Sequence, residues 1–266
     1  MEHTSEFDTK VKKACQKKEA LFTESKGRYA IRSMFAGAFL TMSTAAGAYA
    51  AQNIASINPA LSKFIFAFIF TWGLVYILFL NAELATSNMM YLTAGAFLKK
   101  IDWKKAMIIL LYCTLFNLIG ALVAGWAFAN SSAFSHLTHD SFLPKLVAKK
   151  LARPSDLVLL EGILANVFVN IAILSSILVK DGAAKLWIIL SAISMFVFLS
   201  NEHIAANFAS FSIMKFSMIA DQVPHFDLPN ILRHWGVTFI ANFIGGGLLI
   251  GLPYAFLNKN EDTYVD

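Results

Sequence analysis

The stretch L-S-N-E-H-I-A-A-N-F-A-S-F, residues 199–211, interrupts an apolar run that extends from about residue 183 to residue 216. A second polar stretch, N-A-E-L-A-T-S-N at residues 81–88, interrupts the apolar run 63–98. Each contains a glutamate, four further residues and then an asparagine. An ionisable side chain at the centre of a bilayer costs at least ~2.5–3.5 kcal/mol, so such residues usually line a protein interior or a path. We predict that the two stretches face each other and line one path.

The composition is that of a membrane protein. Of the 266 residues, 57% are apolar and 15% are charged, which is too apolar for an ordinary soluble domain of this length. Several runs exceed the ~18–20 residues that cross a bilayer as a helix. The net charge is +5, but the basic residues cluster at loop edges and not on one face, which argues against nucleic acid. The two cysteines form neither a disulfide framework nor a metal-ligand pattern.

The apolar pattern predicts six membrane spans. The second has about 36 residues, and at ~1.5 Å per residue a continuous helix would be ~54 Å long, well beyond a ~30 Å hydrocarbon core. The fifth has the same anomaly. We therefore predict that each consists of two half-helices joined by irregular backbone, which a membrane tolerates only where it is buried in protein or lines a cavity. The predicted spans are 29–54, 63–98, 103–129, 155–180, 183–216 and 229–257.

The interrupted segments occupy matching places in the chain, because each is the middle one of three spans. Paired interruptions of this kind indicate a transport site at the interface of two repeats. Three is an odd number, so the two halves must have inverted topology. The predicted fold is an all-α membrane protein with a cytoplasmic N-terminal segment at 1–28, a six-span channel domain at 29–257 and a cytoplasmic tail at 258–266.

The distribution of basic residues predicts the orientation. With both termini in the cytoplasm, fifteen of the 22 Lys and Arg lie inside and seven outside, as the positive-inside rule requires. The longest predicted loop, 130–154, is an external exception with four basic residues; it is either a funnel that concentrates anions or a solvated loop. Residues 1–28 lack the apolar core of a cleavable signal. We expect them to be a solvated lead-in, the alternative being an amphipathic helix that contacts a neighbour or the bilayer.

Three motifs resemble the formate/nitrite transporter family. They are A-E-L-x-T at 82–86, G-I-L-A-N at 162–166 and E-H-x-x-A-N at 202–207, on the second, fourth and fifth spans. The similarity extends over about residues 28–257. It implies a homopentamer in the cell membrane, with one pore and an aquaporin-like fold in each protomer. It also implies transport of formate, nitrite or hydrosulfide, or of acetate or lactate in some members, without a cofactor, ATP, a metal or an enzymatic reaction.

The resemblance also implies roles for single residues. His203 matches the central histidine of the family pore, and Thr86 matches the threonine opposite it. A histidine in an apolar helix is more often a packing residue, but the adjacent Glu202 and the family match favour a pore residue. A neutral ring there can donate a hydrogen bond to a substrate oxygen or exchange a proton. Lys150 matches a lysine near the outer mouth, although a lone loop lysine is ordinarily just solvated.

Several polar residues of these motifs have two open interpretations. Glu202 and Asn207 match family residues that form hydrogen bonds near the pore, and Glu83 and Asn88 take the equivalent places in the other half. Asn166 in the fourth span is similar. Each either holds irregular backbone in place or contacts the substrate directly.

Four apolar residues stand at the positions of the family's pore constrictions, and three of them match it. Phe70 and Phe196 match the outer constriction, and Leu74 matches the inner one. At Ala85 this chain departs from the family, which commonly has a phenylalanine there that helps to close the inner constriction. The departure predicts a wider inner gate that admits acetate and lactate as well as formate.

An anion must cross these apolar rings despite the cost of desolvating it. Either the substrate takes up a proton in the vestibule and crosses as a neutral acid, or the anion crosses while His203 is protonated. Both routes predict faster flux at acid pH.

Two other classes of protein are alternative interpretations of these residues. An intramembrane enzyme could use Glu202 and His203 as acid and base, but no nucleophile or metal set accompanies them. A neutral-solute channel would have paired Asn-Pro-Ala motifs, and only one, at 58–60, occurs.

Overall fold

Helices form almost all of the described part of the chain. The structure is a computed structural model that describes residues 5–259, and these residues contain no β-strand. Part of the predicted cytoplasmic tail, residues 260–266, therefore lies outside the described residues. The helices are α1 Glu6–Glu24, α2 Lys26–Ala55, α3 Pro59–Phe79, α4 Ala85–Phe97, α5 Trp103–Ala129, α6 Phe142–Leu151, α7 Ser155–Leu178, α8 Gly182–Phe198, α9 Ile204–Lys215, α10 Leu228–Asn242 and α11 Leu252–Leu257, with a π-helical segment Phe243–Gly251 joining the last two.

The N-terminal segment is a packed helix, so the expected solvated lead-in is wrong for Glu6–Glu24. Ser5 caps α1 by accepting a hydrogen bond from the backbone N–H of Asp8 at 3.1 Å. One face of the helix is buried against α2 and α4, and Lys100 forms an ion pair with Asp8 at 3.1 Å. The buried residues at helical spacing make α1 part of the core; they are Phe7, Val11, Cys15, Lys18 and Phe22.

The region predicted as a long loop, 130–154, also contains a helix. α6 buries Leu143, Val147 and Leu151, which lie one turn apart on a single face. Lys150 lies beside this face and is itself buried. The loop interpretation is therefore wrong for Phe142–Leu151. The amphipathic pattern of this helix extends over only ten residues, which is too short to be recognised within a basic segment.

Within residues 5–259, four helical stretches are long and apolar enough to cross a membrane. α8, with 17 residues, is apolar but shorter. α2 has 30 residues and is less apolar because serine, threonine, alanine and glycine fill it. The four stretches are Pro59–Phe79, Trp103–Ala129, Ser155–Leu178 and Leu228–Leu257.

Two non-helical segments separate α3 from α4 and α8 from α9. In each segment one residue adopts a positive φ, 56° at Asn81 and 65° at Ser200, which a right-handed helix cannot accommodate. The helices that follow have only 13 and 12 residues, about 20 Å at ~1.5 Å per residue. These two interruptions are at the two polar stretches that the sequence singled out.

Glycines allow two pairs of long helices to approach backbone to backbone. A Cβ atom on Gly37 of α2 would lie 1.9 Å from the carbonyl oxygen of Asn117 in α5, and one on Gly120 would lie 2.0 Å from that of Met34. In the other half, a Cβ atom on Gly245 would lie 2.2 Å from the carbonyl oxygen of Ile163 in α7. Any side chain at these positions would force the helices apart.

Candidate functional site

A threonine and a histidine meet in the interior, one from each interruption. Thr86 is in the first turn of α4, and its Oγ1 lies 2.8 Å from Nε2 of His203. His203 is the N-cap of α9, because its Nδ1 accepts a hydrogen bond from the backbone N–H of Ala206 at 3.1 Å. Nδ1 therefore carries no proton, so the neutral ring has its proton on Nε2 and donates it to Thr86. Both residues are buried.

The first turns of α4 and α9 meet at this pair. Each helix begins within one residue of it, at Ala85 and Ile204. The N-terminus of a helix carries a partial positive charge and free N–H groups, so it favours an anion. Two such termini converge here around a hydroxyl and an imidazole, which gives a negatively charged group hydrogen-bond donors and a favourable field.

On one side of the pair, the carboxylate of Glu202 is at the centre of a buried ion cluster. Lys150 Nζ donates to its Oε2 at 2.6 Å, and Asn207 Nδ2 donates to the same oxygen at 3.0 Å. Arg153 donates to its Oε1 at 2.5 Å and also forms an ion pair with Glu161. Lys150 is thus a buried ion-pair partner and not a solvated loop lysine. The two cations compensate a carboxylate that would otherwise be too costly to bury.

On the other side, Glu83 has a matching environment. It forms an ion pair with Lys18 of α1, just as Glu202 forms an ion pair with Lys150 of α6. Asn88, five residues further on, donates from Nδ2 to the Glu83 carboxylate at 3.3 Å and to the hydroxyl of Tyr29 at 3.0 Å. In each motif, therefore, the glutamate binds the asparagine of the same motif and one lysine. This fits the interpretation that these residues hold irregular backbone in place.

Two further asparagines hold the interruptions in place. Asn117 of α5 accepts from the N–H of Ala85 at 2.9 Å and donates to the carbonyl oxygens of Ser33 and Glu83, both at 2.8 Å. Its amide thereby joins α2, α4 and α5.

Asn242 of α10 makes the same three contacts in the other half. It accepts from the N–H of Ile204 at 2.8 Å and donates to the carbonyl oxygens of Gly162 at 2.8 Å and Glu202 at 2.9 Å. The sequence analysis missed both asparagines. The signal was the repeated pattern N-L-I-G at 117–120 and N-F-I-G at 242–245.

Asn166 lies behind the central pair. Its Nδ2 donates to the carbonyl oxygen of Asn242 at 2.7 Å and, more weakly, to that of Thr86 at 3.3 Å. Asn170, one turn along α7, donates to the carbonyl oxygen of Asn166 at 2.7 Å. These amides therefore support the backbone on either side of the pair.

Two cavities approach the central pair from opposite directions. One, of about 240 Å³, is reached past α6, and the other, of about 440 Å³, is reached past α1. We call them the outer and the inner cavity after the orientation that the sequence predicts. Both combine apolar walls with lysines, so both favour anions. The lysines of the outer cavity are Lys63, Lys145, Lys149 and Lys150, and those of the inner cavity are Lys17, Lys18 and Lys185.

Two of the four predicted constriction residues line the outer cavity, and the other two are buried away from both cavities. Phe70 and Phe196 line the outer cavity with their ring centroids 6.2 Å apart, and the Phe196 ring lies 5.7 Å from the His203 ring. Leu74 is one turn beyond Phe70 on α3, towards the residues of that helix that line the inner cavity. Leu74 and Ala85 are both buried and line neither cavity.

One lysine of the outer cavity has an external counterion. Lys145 Nζ and His139 Nε2 each lie 2.9 Å from the carboxylate of Asp140 in the loop before α6. The hydrogen bond from Lys145, together with the charges of both neighbours, lowers the pKa of Asp140 below its usual value. Lys145 is thus partly neutralised, whereas the cavity contains no acidic residue within the described chain.

These features define a membrane channel or transporter for small anions. The protein has several helices long enough to span a membrane, lysine-lined cavities on opposite sides, and a polar pair between two buried helix N-termini. The comparisons with known proteins agree. The chain belongs to the formate/nitrite transporter family, whose model matches residues 5–256. The resemblance based on three motifs is thereby confirmed, and the enzyme alternative is excluded, because the family transports its substrates. The chain is a multi-pass membrane protein.

Individual relatives extend this result. The uncharacterized transporter YwcJ of Bacillus subtilis is 27% identical over 255 residues, which is 95% of this chain and 97% of that protein. A solved FNT family ion channel has a TM-score of 0.86 at 21% identity and covers 93% of this chain and 97% of its own. A pentameric formate channel with formate bound has a TM-score of 0.73 at 19% identity, covering 86% and 96%. These two likenesses concern the fold.

Proposed function

We propose that the chain forms a pH-dependent path for small monovalent anions or their weak acids: formate first, then acetate and lactate. The proposal depends on one observation, the buried Thr86–His203 pair between two helix N-termini. A carboxylate or its acid at this point would meet a hydroxyl, an imidazole N–H and two favourable helix dipoles. Nitrite and hydrosulfide, which are similarly small and singly charged, are the alternative substrates.

The six-span arrangement with two inverted halves is part of the proposal. α4 and α9 are too short to cross a ~30 Å core alone, so α3 with α4 and α8 with α9 would each make one crossing. The matching contacts of Asn117 and Asn242 support two halves of common design. The excess of basic residues on one side supports cytoplasmic termini in the cell membrane. Within this frame, residues 29–257 form the channel and α1 lines its inner cavity.

The hydrogen bonds of His203 support one of the two permeation routes. A doubly protonated ring would lose the cap that Nδ1 forms with the N–H of Ala206, which is worth about 1 kcal/mol, and it would place an unpaired charge in a buried site, which costs more. His203 therefore stays neutral, and the substrate takes up its proton in the outer cavity, where the field of Lys150 gathers the anion. It then passes the Phe70–Phe196 constriction as a neutral acid.

A homopentamer is proposed from the likeness to the pentameric formate channel. Large apolar side chains on the outer face of α5 suit contact with lipid or with a neighbouring protomer; examples are Leu111, Leu115, Val123 and Trp126. Native mass spectrometry of the purified protein should detect five copies of the 29.4 kDa chain. A stable monomer or dimer in mild detergent would contradict this part of the proposal.

Flux measurements in liposomes test the transport function. Formate, acetate, lactate, nitrite and hydrosulfide should be compared side by side at several pH values, with empty liposomes as the control. We expect formate to move unchanged and faster as the pH falls. The proposal fails if none of the five moves faster than through protein-free membranes.

A further inference from the structure

His234 is a fully buried histidine of α10 that the proposed path does not use. Its Nε2 faces Oε2 of Glu202 at 3.6 Å, which is too long for a hydrogen bond, and this nitrogen has no hydrogen-bond partner in the described chain. On the other side of the ring, Nδ1 lies 3.5 Å from Thr238 Oγ1 and from Asn207 Nδ2. A buried polar atom without a partner requires an explanation.

The surroundings of His234 offer hydrogen-bond partners to a neutral ring and to a doubly protonated one, as a proton-binding site requires. Thr238 donates its own hydrogen to the carbonyl oxygen of His234 at 2.7 Å, so its lone pairs remain available to an N–H at Nδ1. The Glu202 carboxylate is the acceptor that faces Nε2. A neutral ring with its proton on Nε2 can donate to Glu202 and accept from the amide of Asn207, whereas the imidazolium can donate to Glu202 and to Thr238. His203 differs, because its Nδ1 faces only a backbone N–H and must remain an acceptor.

Charged groups reach His234 from each element around it. The positive charges of Lys150 and Arg153 balance the negative charges of Glu161 and Glu202. The cluster therefore has no net charge as long as His234 is neutral. Arg233, its neighbour on α10, donates instead to backbone carbonyl oxygens of the turn after α6. The four clustered groups are Lys150, Arg153, Glu161 and Glu202.

Lys150 has two competing partners. It donates to Oε2 of Glu202 at 2.6 Å, and it also lines the outer cavity, where an arriving anion would attract it. If Lys150 turns to the anion, Oε2 retains only the neutral amide of Asn207, since Arg153 binds the other oxygen and Glu161. An uncompensated buried carboxylate oxygen is strongly unfavourable.

We propose that His234 is a proton-binding site that holds Glu202 when Lys150 turns to an anion in the outer cavity. The proton comes from the water of the cavity, sits on the ring as an N–H donor to Glu202, and returns to that water when the anion leaves and Lys150 goes back. No other atom is gained or lost. This inference rests on the proposed function, because it requires an anion to enter the outer cavity.

The first test is the pH dependence of the apparent KM for formate in liposomes. His234→Gln keeps a neutral N–H that can reach Glu202 but cannot take up a proton. Dividing the KM of the variant by that of the wild type at each pH cancels the protonation of formate itself. We expect a ratio near one at pH 8 that rises to about fivefold or more at pH 5.5, a typical coupling between two linked sites. His225→Asn, on an exposed loop, should keep a ratio of one throughout.

The second test separates holding from protonation. His234→Ala removes both, so its KM should exceed that of the wild type at every pH. Addition of formate to the detergent-solubilised wild type at pH 7 in weak buffer should also cause proton uptake, visible with an indicator dye. The uptake should be smaller in His234→Gln, where only the bound formate can take up a proton. If the KM of His234→Gln equals that of the wild type at every pH, His234 is not a proton-binding site. If the KM of His234→Ala also equals that of the wild type at every pH, His234 does not hold Glu202 either. If His234→Ala does not fold, His234→Gln and the dye decide; absence of formate flux in the wild type would instead contradict the proposed function.

Discussion

Two buried histidines lie within one network, and their hydrogen-bond partners give them different chemistry. His203 accepts a backbone N–H at Nδ1, which favours a neutral ring. His234 faces a carboxylate at Nε2, and its Nδ1 lies beside both a hydroxyl oxygen and the amide of Asn207. A partner that donates favours the neutral form of a ring nitrogen, and a partner that accepts favours the protonated form. The proposed proton site is therefore separate from the proposed crossing point.

The first residue-scale prediction concerns His203. His203→Phe should abolish formate flux, because the ring fills the same space but offers no N–H to a substrate oxygen and no cap to α9. The measurement is liposome flux from pH 5 to pH 8, with the oligomer checked by native mass spectrometry. Flux at the wild-type rate at any pH, in a correctly assembled variant, would contradict a central role for this residue.

The second residue-scale prediction concerns Lys150. Lys150→Ala should raise the apparent KM for formate roughly tenfold, the value of one charge-assisted hydrogen bond, and Lys150→Arg should raise it less. Lys215→Ala, at the exposed end of α9, is the matched control and should leave KM unchanged. Uptake is measured over a range of ionic strengths. If both Lys150 variants match the wild type throughout, the lysine does not gather anions.

The sequence singled out the residues that meet at the central pair but not the cluster beside them. Glu202 and His203 stand out because a charged or titratable group in an apolar run is costly, and the family match singled out Thr86. Arg153 lies in the predicted loop and gave no such signal, and His234, in the predicted sixth span, belongs to none of the three motifs. Each acquires its role only when a turn after α6 and the first part of α10 fold against Glu202, and that proximity is a tertiary property.

At the element scale, the two interruptions have equivalent supports. Each short helix begins where an asparagine amide from a neighbouring long helix accepts its first N–H and donates to the glutamate carbonyl before it. The irregular backbone thus has partners for groups that a continuous helix would have satisfied internally. The length of the apolar runs and the polar residues within them led to the prediction of interrupted spans, but the asparagines that contact the interruptions are far away in sequence.

Asn117→Ala and Asn242→Ala should destabilise the protein to a similar extent, about 2–4 kcal/mol each, because each leaves buried backbone groups without a partner. The free energy of unfolding is measured by denaturant titration in detergent micelles. Asn53→Ala, which loses one exposed hydrogen bond to the carbonyl oxygen of Tyr49, should stay within about 0.5 kcal/mol of the wild type. If Asn117→Ala or Asn242→Ala is as stable as Asn53→Ala, the non-helical segment beside that asparagine does not depend on its amide.

A second element-scale prediction concerns the packing of α1. Burial raises the pKa of Cys15 to about 11, since its thiol faces the core and donates to the carbonyl oxygen of Tyr91 at 3.4 Å. The thiolate is the reactive form, so at pH 8 maleimide should label the wild type about a hundredfold more slowly than it labels Gln16→Cys on the exposed face. Equal rates would show that α1 detaches from the inner cavity on the timescale of labelling.

On the scale of the whole molecule, the sequence predicted the helical class and the positions of the long helices well. The bounds of α5 are the predicted ones, because the apolar run is long and ends sharply. α1 and α6 were not predicted as core elements. Their faces are short and lie in basic segments, where solvation is the ordinary outcome; only the assembled structure brings Lys18 and Lys150 to their glutamates.

The size limit of the proposed path is also a whole-molecule property, because α3, α4 and α8 each contribute a predicted constriction residue. Ala85→Phe should reduce lactate flux more than formate flux, since a benzyl group would narrow the inner gate and hydrophobic constrictions select by width and wetting. The lactate-to-formate flux ratio in liposomes at one acid pH is the measurement. An unchanged ratio would place the size limit at Leu74 or at the pair Phe70 and Phe196.

The capping contact of His203 has an electrical consequence. A ring held neutral adds no charge to the crossing point, so an acid that carries its own proton moves no net current. The membrane voltage, worth about 2.3 kcal/mol per elementary charge at 100 mV, then neither drives nor opposes the passage. Acid concentration and the pH difference alone set the direction. Such a protein releases acid when the cell interior is the more acidic side and takes it up when the medium is.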